Sequence, residues 1–151
     1  MEVALGGKKP KHEVVITNED LQNVEDTFSD KRDSDKVDFA MFGCPHFTLE
    51  EAQHIAEGVK GKKLAIPMYI LVSSHALQMA QRMGIADVLA EAGAEIIADS
   101  CPDQPCWHYL KGKVGITESP KCAYYPRRRG IHFIIRDLDT CIQAALTGEV
   151  K

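Results

Sequence analysis

Apolar residues fall into two rhythms along this chain, and the change comes near residue 37. Before it, hydrophobic positions are sparse. Val14-Val15-Ile16-Thr17 reads as a short strand. Asn18-Glu19-Asp20-Leu21 then opens a helix on which Leu21, Val24 and Phe28 recur at helical spacing. Gly6-Gly7-Lys8-Lys9-Pro10 is a turn-rich, basic start, and Ser29 to Lys36 is almost wholly charged or polar, a solvated connector. Residues 1–36 are therefore expected to be an amino-terminal strand, helix and polar linker, and residues 37–151 a single α/β domain.

From Val37 onward, short apolar runs alternate with amphipathic stretches. Val37 to Gly43 reads as a buried strand. Thr48-Leu49-Glu50-Glu51 is a capping box opening a helix with Leu49, Ala52, Ile55, Ala56 and Val59 on one face. Leu64 to Val72 is the next strand, and its internal Pro67 predicts an edge position or a bulge because proline cannot donate to the ladder. Ser73-Ser74 caps a helix with Leu77, Ala80 and Met83 inward, ending at Gly84. A second helix carries Ile85, Val88, Leu89 and Ala92 and stops at Gly93. Glu95–Asp99, Lys113–Thr117 and Ile131–Ile135 read as strands, and a last helix runs from Asp137 to Gly148 with Leu138, Cys141, Ile142 and Ala145 inward. Strands separated by helices imply right-handed crossovers, hence a three-layer α/β/α domain with a mainly parallel sheet of four to five strands.

Composition narrows the function. At 151 residues and 44% hydrophobic content the chain can bury a real core. A net charge of -4 argues against nucleic acid as a partner. No apolar run approaches the roughly 20 residues of a membrane-spanning helix, so no membrane is expected. Five cysteines cannot form a complete disulfide framework, and without a signal peptide they suit free thiols or metal ligands in the reducing cytoplasm.

In open parallel sheets, ligands bind beyond the carboxyl ends of the strands. Two Cys-Pro pairs sit at such ends: Gly43-Cys44-Pro45-His46 after the first strand and Asp99-Ser100-Cys101-Pro102 after the third. Proline follows cysteine in some iron–sulfur binding runs as well. Cys141, on the apolar face of the last helix, reads as a plain buried thiol. Cys106 and Cys122 lie in loop-like stretches and read as ligands, supporting thiols or neither. His46 reads as a ligand, an acid–base group or a neighbour of a helix cap. The stretch from Thr117 to Tyr125 combines hydroxyls, Lys121 and two tyrosines at another strand end, which suits a small anionic substrate. The helix start at Ser73-Ser74 is a further candidate anion site. Arg127-Arg128-Arg129 reads as a solvated face.

Several of these blocks in this order resemble the carboxyl-terminal part of the catalytic (large) subunit of aconitase X. They are Gly43-Cys44-Pro45-His46-Phe47-Thr48-Leu49-Glu50-Glu51, Ala98-Asp99-Ser100-Cys101, Thr117-Glu118-Ser119-Pro120-Lys121 and Cys141-Ile142-Gln143-Ala144-Ala145-Leu146-Thr147-Gly148. The likeness spans roughly residues 1 to 150, with Glu118 standing where the family usually has Asn or Asp.

The resemblance implies an aconitase-like domain of an iron-dependent hydro-lyase acting on a small hydroxy acid, of the cis-3-hydroxy-L-proline or mevalonate 5-phosphate class. It implies Cys44 and Cys101 as ligands of an iron–sulfur cluster, or iron, whose open iron acts on the leaving hydroxyl. It implies Ser119 and Lys121 as partners of the substrate carboxylate, with His46 as a weaker candidate beside them. It also implies missing partners, namely the amino-terminal half of the catalytic subunit and a small swivelling subunit or domain. The chain is then a fragment or split-gene product that folds but is inactive alone. The alternative expectation is a non-catalytic α/β domain with structural thiols or weak metal binding.

Overall fold

The computed structural model describes residues 2–30 and 35–150. Residues 31–34 of the expected polar connector lie outside the described residues. In chain order the elements are α1 (Glu2–Leu5), α2 (Asn18–Phe28), β1 (Phe39–Phe47), α3 (Leu49–Val59), β2 (Met68–Val72), α4 (Ser74–Arg82), α5 (Ile85–Ala92), β3 (Ala94–Ala98), β4 (Val114–Thr117), α6 (Pro120–Tyr124), β5 (His132–Ile135) and α7 (Leu138–Thr147). Single 3₁₀ segments cover Pro105–Leu110 and Pro126–Arg129.

The five strands form one sheet in the order β3-β2-β1-β4-β5, every neighbouring pair parallel. The chain winds outward from β1 through β2 to β3, then crosses back to place β4 and β5 on the other flank. The direction of winding therefore switches between β1 and β4, where such sheets open a crevice at their carboxyl edge.

Strand residues divide between the faces with a period of two. Ala40, Phe42, Met68, Ile70, Val72, Val114, Ile116 and Ile134 join one core with the buried residues of α3, α4, α5 and α7. Phe39, Met41, Tyr69, Leu71, Phe133 and Ile135 join a second core, closed by Trp107, Leu110, Cys122 and Ala123 with Phe28 against its rim. Helices on both faces make the α/β/α sandwich that the strand–helix alternation predicts. Caps fix the entry angles of the helices: Thr48 and Glu51 close a reciprocal capping box on α3, and Asp137 caps α7 through Thr140.

Three local expectations are corrected. Val14–Thr17 forms no strand, because none of the described residues pairs with it. Val14, Val15 and Ile16 are 85%, 82% and 72% exposed, and Thr17 instead caps α2. Pro67 does not mark an edge: β2 lies inside the sheet and starts only at Met68, while the Pro67 carbonyl accepts from the Ala40 N–H at 2.9 Å. Met83 does not point inward; it follows the last turn of α4 and is exposed. Among the described residues, no helix is long and apolar enough to cross a membrane.

Candidate functional site

Gly43, Cys44, Pro45 and His46 belong to β1, but they leave its ladder. Pairing with β2 steps from Phe42↔Ile70 to Phe47↔Val72, so β1 advances five residues while β2 advances two. The surplus bulges out at the carboxyl edge of the sheet, as bulges beside binding sites do. Gly43 makes the turn possible with φ +95, its Cα pressed against the Leu71 backbone. The following Cys44–Pro45 bond is cis.

The loop after β3 meets this bulge. Asp99 adopts a left-handed φ of +53 and turns the chain toward Ser100 and Cys101. Two side chains then hold the turn. A ring nitrogen of His46 is 2.6 Å from the Ser100 carbonyl, and the Trp107 indole N–H donates to the Cys101 carbonyl at 2.9 Å. Together the two loops enclose an open cleft of about 230 Å³ lined by Gly43, Cys44, Pro45, His46, Ser100, Cys101, Pro102 and Lys121.

Lys121 reaches the cleft from the first turn of α6, so a cation faces the two thiols. Ser119 does not line the cleft. Its buried hydroxyl donates to the Cys44 carbonyl and accepts from the Cys122 N–H, capping α6 while pinning the Cys44 peptide. Burial pushes the Cys44 thiol up, the Lys121 ammonium pulls it back, and Cys101 and Glu118 add to the rise. Cys101 is exposed, so the two thiols meet from unlike surroundings.

The remaining thiols do not line the cleft. Cys106 is exposed on its 3₁₀ segment, while Cys122 and Cys141 are buried and pushed upward by desolvation. Among the described residues no group of three or more His, Cys, Asp or Glu side chains is arranged to hold a metal ion. Cys44 and Cys101 therefore place two soft donor atoms on one cleft.

Two readings of polar segments change. At the start of α4, the Ser74 N–H donates to the Asp99 carboxylate at 3.1 Å and the Ala76 N–H to the Ser73 hydroxyl at 3.2 Å, so these two donors are already taken. The arginine run is also more than a solvated face. Arg128 and Arg129 both pair with Asp103, and Arg127 donates to the Thr27 carbonyl at 3.1 Å.

Glu118 is the titratable group whose state the sequence leaves hidden. It sits at the end of β4 behind the bulge, with Thr117 and the Gly43 N–H as hydrogen-bond partners. Burial raises its carboxyl from 4.5 to about 7, and the nearby Glu51 adds to the rise. The folded protein therefore holds a proton there that the unfolded chain releases near 4.5. Stability from this group is full below that value, falls as pH rises to about 7, and is level above it. Between pH 5 and pH 8 the loss amounts to at most roughly 3 kcal/mol. Glu118→Gln is expected to remove this slope in urea-unfolding curves, and an unchanged slope would mean that Glu118 ionises normally.

Residues 37–147 match the family model described as the aconitase X third domain. The chain is 31% identical over 135 residues to the phosphomevalonate dehydratase large subunit of Thermococcus kodakarensis, covering 87% of this chain and 34% of that protein. It is 26% identical over 157 residues to the cis-3-hydroxy-L-proline dehydratase of Hypocrea jecorina, covering 96% of this chain and 25% of that protein. The crystal structure of Thermococcus kodakaraensis aconitase X in its holo-form superposes with a TM-score of 0.74 at 30% identity, over 87% of this chain and 34% of that one. The chain thus spans about a third or less of the length of these relatives.

Proposed function

The chain belongs to the aconitase X family as the carboxyl-terminal part of its large subunit, and we propose that it supplies one wall of the active site of an iron–sulfur hydro-lyase. The substrate is a small hydroxy acid, of the mevalonate 5-phosphate or cis-3-hydroxy-L-proline class, in keeping with the names of its relatives. The observation that carries the proposal is the convergence of Cys44 and Cys101 on one cleft at the carboxyl edge of the sheet.

In this reading Cys44 and Cys101 hold an iron–sulfur cluster or iron, and further ligands come from outside the described residues. When bound, that group supplies a Lewis acid for the leaving hydroxyl. Lys121 holds the substrate carboxylate by direct charge attraction from the cleft wall. His46 ties the two cysteine loops together through the Ser100 carbonyl and faces the same space. Ser119 holds the Cys44 peptide, and it reaches a substrate carboxylate only if that hydrogen bond opens.

The same proposal has residues 1–36 as an amino-terminal segment before the α/β domain of residues 37–151. Its partners are the rest of the large subunit and a small swivelling subunit or domain. Its location is the cytoplasm, where five thiols stay free.

Co-production of the chain with the remaining part of a large subunit and a small subunit tests this. Dehydration of one of the two substrates is expected from the complete assembly and none above background from the isolated chain. Robust turnover by the isolated chain would overturn the proposal, and so would an assembled but iron-independent enzyme. The second of these results would favour a domain with structural thiols.

A further inference from the structure

Apolar surface lies open at the amino-terminal end of the molecule, and none of the described residues covers it. Helix α2 has Leu21, Val24 and Phe28 on one stripe, yet none of its side chains is buried. Leu21 is 58% exposed, and the extended Val14-Val15-Ile16 segment before it is open as well. Only the carboxyl end of α2 is fastened to the body. There, the Ile135 N–H donates to the Ser29 hydroxyl at 3.0 Å and the Asp30 N–H to the Phe133 carbonyl at 2.7 Å.

Beside that fastening runs an open groove of about 550 Å³ lined by Phe28, Tyr124, Tyr125, Arg127 and Arg128. The rings of Phe28 and Tyr124, and of Tyr124 and Tyr125, meet edge to face at 5.2 and 5.1 Å, leaving both tyrosines about half exposed. A continuous apolar face of this kind marks an interaction surface rather than ordinary exposure.

We infer that the exposed stripe of α2 and the adjoining aromatic groove form the surface on which the remaining part of the large subunit docks. The inference rests on the function proposed above. Three observations choose that occupant. The match to the Thermococcus kodakarensis large subunit covers 87% of this chain, more than residues 37–151 can supply, so the likeness extends into the amino-terminal segment. The chain makes up 34% of that relative, leaving a large body to be placed. Finally, α6 joins the groove to the cleft: Lys121 lines the cleft and Tyr124 the groove, about 5 Å of helical rise apart. A body that closes the cleft therefore meets the groove.

Charge adds a requirement on the docking face. Glu13, Glu19, Asp20, Glu25, Asp26 and Asp30 fall between residues 13 and 30, where there is no Lys or Arg. Opposite α2 the partner face is accordingly apolar with a rim of Lys and Arg, the arrangement that electrostatic complementarity favours, whereas at the groove the cations Arg127 and Arg128 stand on this chain.

Amide hydrogen exchange tests the inference. It is measured on the chain alone and on the chain joined to the two thirds of the Thermococcus kodakarensis large subunit that it does not match. Exchange across residues 18–28 and 120–129 is expected to slow at least about ten-fold on joining. If residues 43–46 and 100–103 slow while those segments do not, the added body covers the cleft but not this face. The docking inference then fails and the proposed function stands. If neither set slows, both fail. Concentration-dependent protection of the chain alone would assign the face to a second copy and also overturn the inference. Leu21→Glu, at an exposed site, is expected to leave the melting temperature of the isolated chain unchanged and to abolish the protection of residues 18–28. Retained protection in that variant would overturn the inference.

Discussion

Gly43→Ala is expected to leave little or no folded protein. A Cβ at this position would lie 2.0 Å from the Leu71 carbonyl oxygen and 2.8 Å from its carbon, with φ at +95. The obstacle is backbone rather than a mobile side chain, and it belongs to β2, the interior strand on which β1 pairs. Neither strand can move away cheaply, because Phe42↔Ile70 and Phe47↔Val72 hold the ladder on both sides of the bulge. Relief means opening the centre of the sheet and both cores with it. A cost beyond about 4 kcal/mol follows from that overlap, a large part of the roughly 5–15 kcal/mol that stabilises an ordinary domain. Gly61→Ala is the control. That residue also has a positive φ, +71, but open space around it, so only the left-handed penalty of about 1–2 kcal/mol applies. Urea unfolding of the three proteins checks the contrast. A Gly43→Ala protein as stable as Gly61→Ala would show that the bulge relaxes easily.

In the complete assembly, Cys44→Ser and Cys101→Ser are each expected to lower turnover by at least about 10³-fold. Loss of Lewis-acid stabilisation worth several kcal/mol gives a fall of that size. Packing does not account for such a loss. Cys101 is exposed, and serine at Cys44 changes one atom in a side chain that is mostly buried but borders the cleft. Cys122 and Cys141 provide the comparison. Cys122 lies in the second core, behind Cys44 and near the Met41 carbonyl, and Cys141 in the first near the Arg136 carbonyl; neither lines the cleft. Cys122→Ala and Cys141→Ala should lower stability but leave turnover per folded molecule within a few-fold. Steady-state rates normalised to folded protein separate the two pairs.

The sheet was legible because its strands follow rules of period and punctuation. Val114 to Thr117 and His132 to Ile135 are short apolar runs, and the helices between strands begin at true caps such as Thr48 and Asp137. Where the pattern misled, pairing or side-chain environment decided. Val14-Val15-Ile16 has strand propensity, yet a strand exists only where another backbone pairs with it. Pro67 predicts an edge position or a bulge, but a strand can begin just after a proline and lie fully inside the sheet, as β2 does.

At the site, the strand-end rule singled out Gly43-Cys44-Pro45-His46 and Ser100-Cys101-Pro102, and the fold brings them to one cleft. The parts that hold the cleft together were not legible. Trp107 reaches the Cys101 carbonyl from a 3₁₀ segment without any periodic signal, and Asp99 takes the Ser74 N–H at the start of α4 from across the loop. The elevated carboxyl of Glu118 depends on burial behind a bulge whose size only the β1–β2 register reveals.

The most direct test of the proposal that Cys44 and Cys101 together hold iron is the iron and acid-labile sulfide content of the anaerobically prepared complete assembly. The unsubstituted assembly should carry a cluster with its visible absorption. Cys44→Ser and Cys101→Ser should each lose at least about ten-fold of the bound iron, while Cys122→Ala and Cys141→Ala retain it. Full iron and sulfide in either cleft-cysteine variant would contradict the claim.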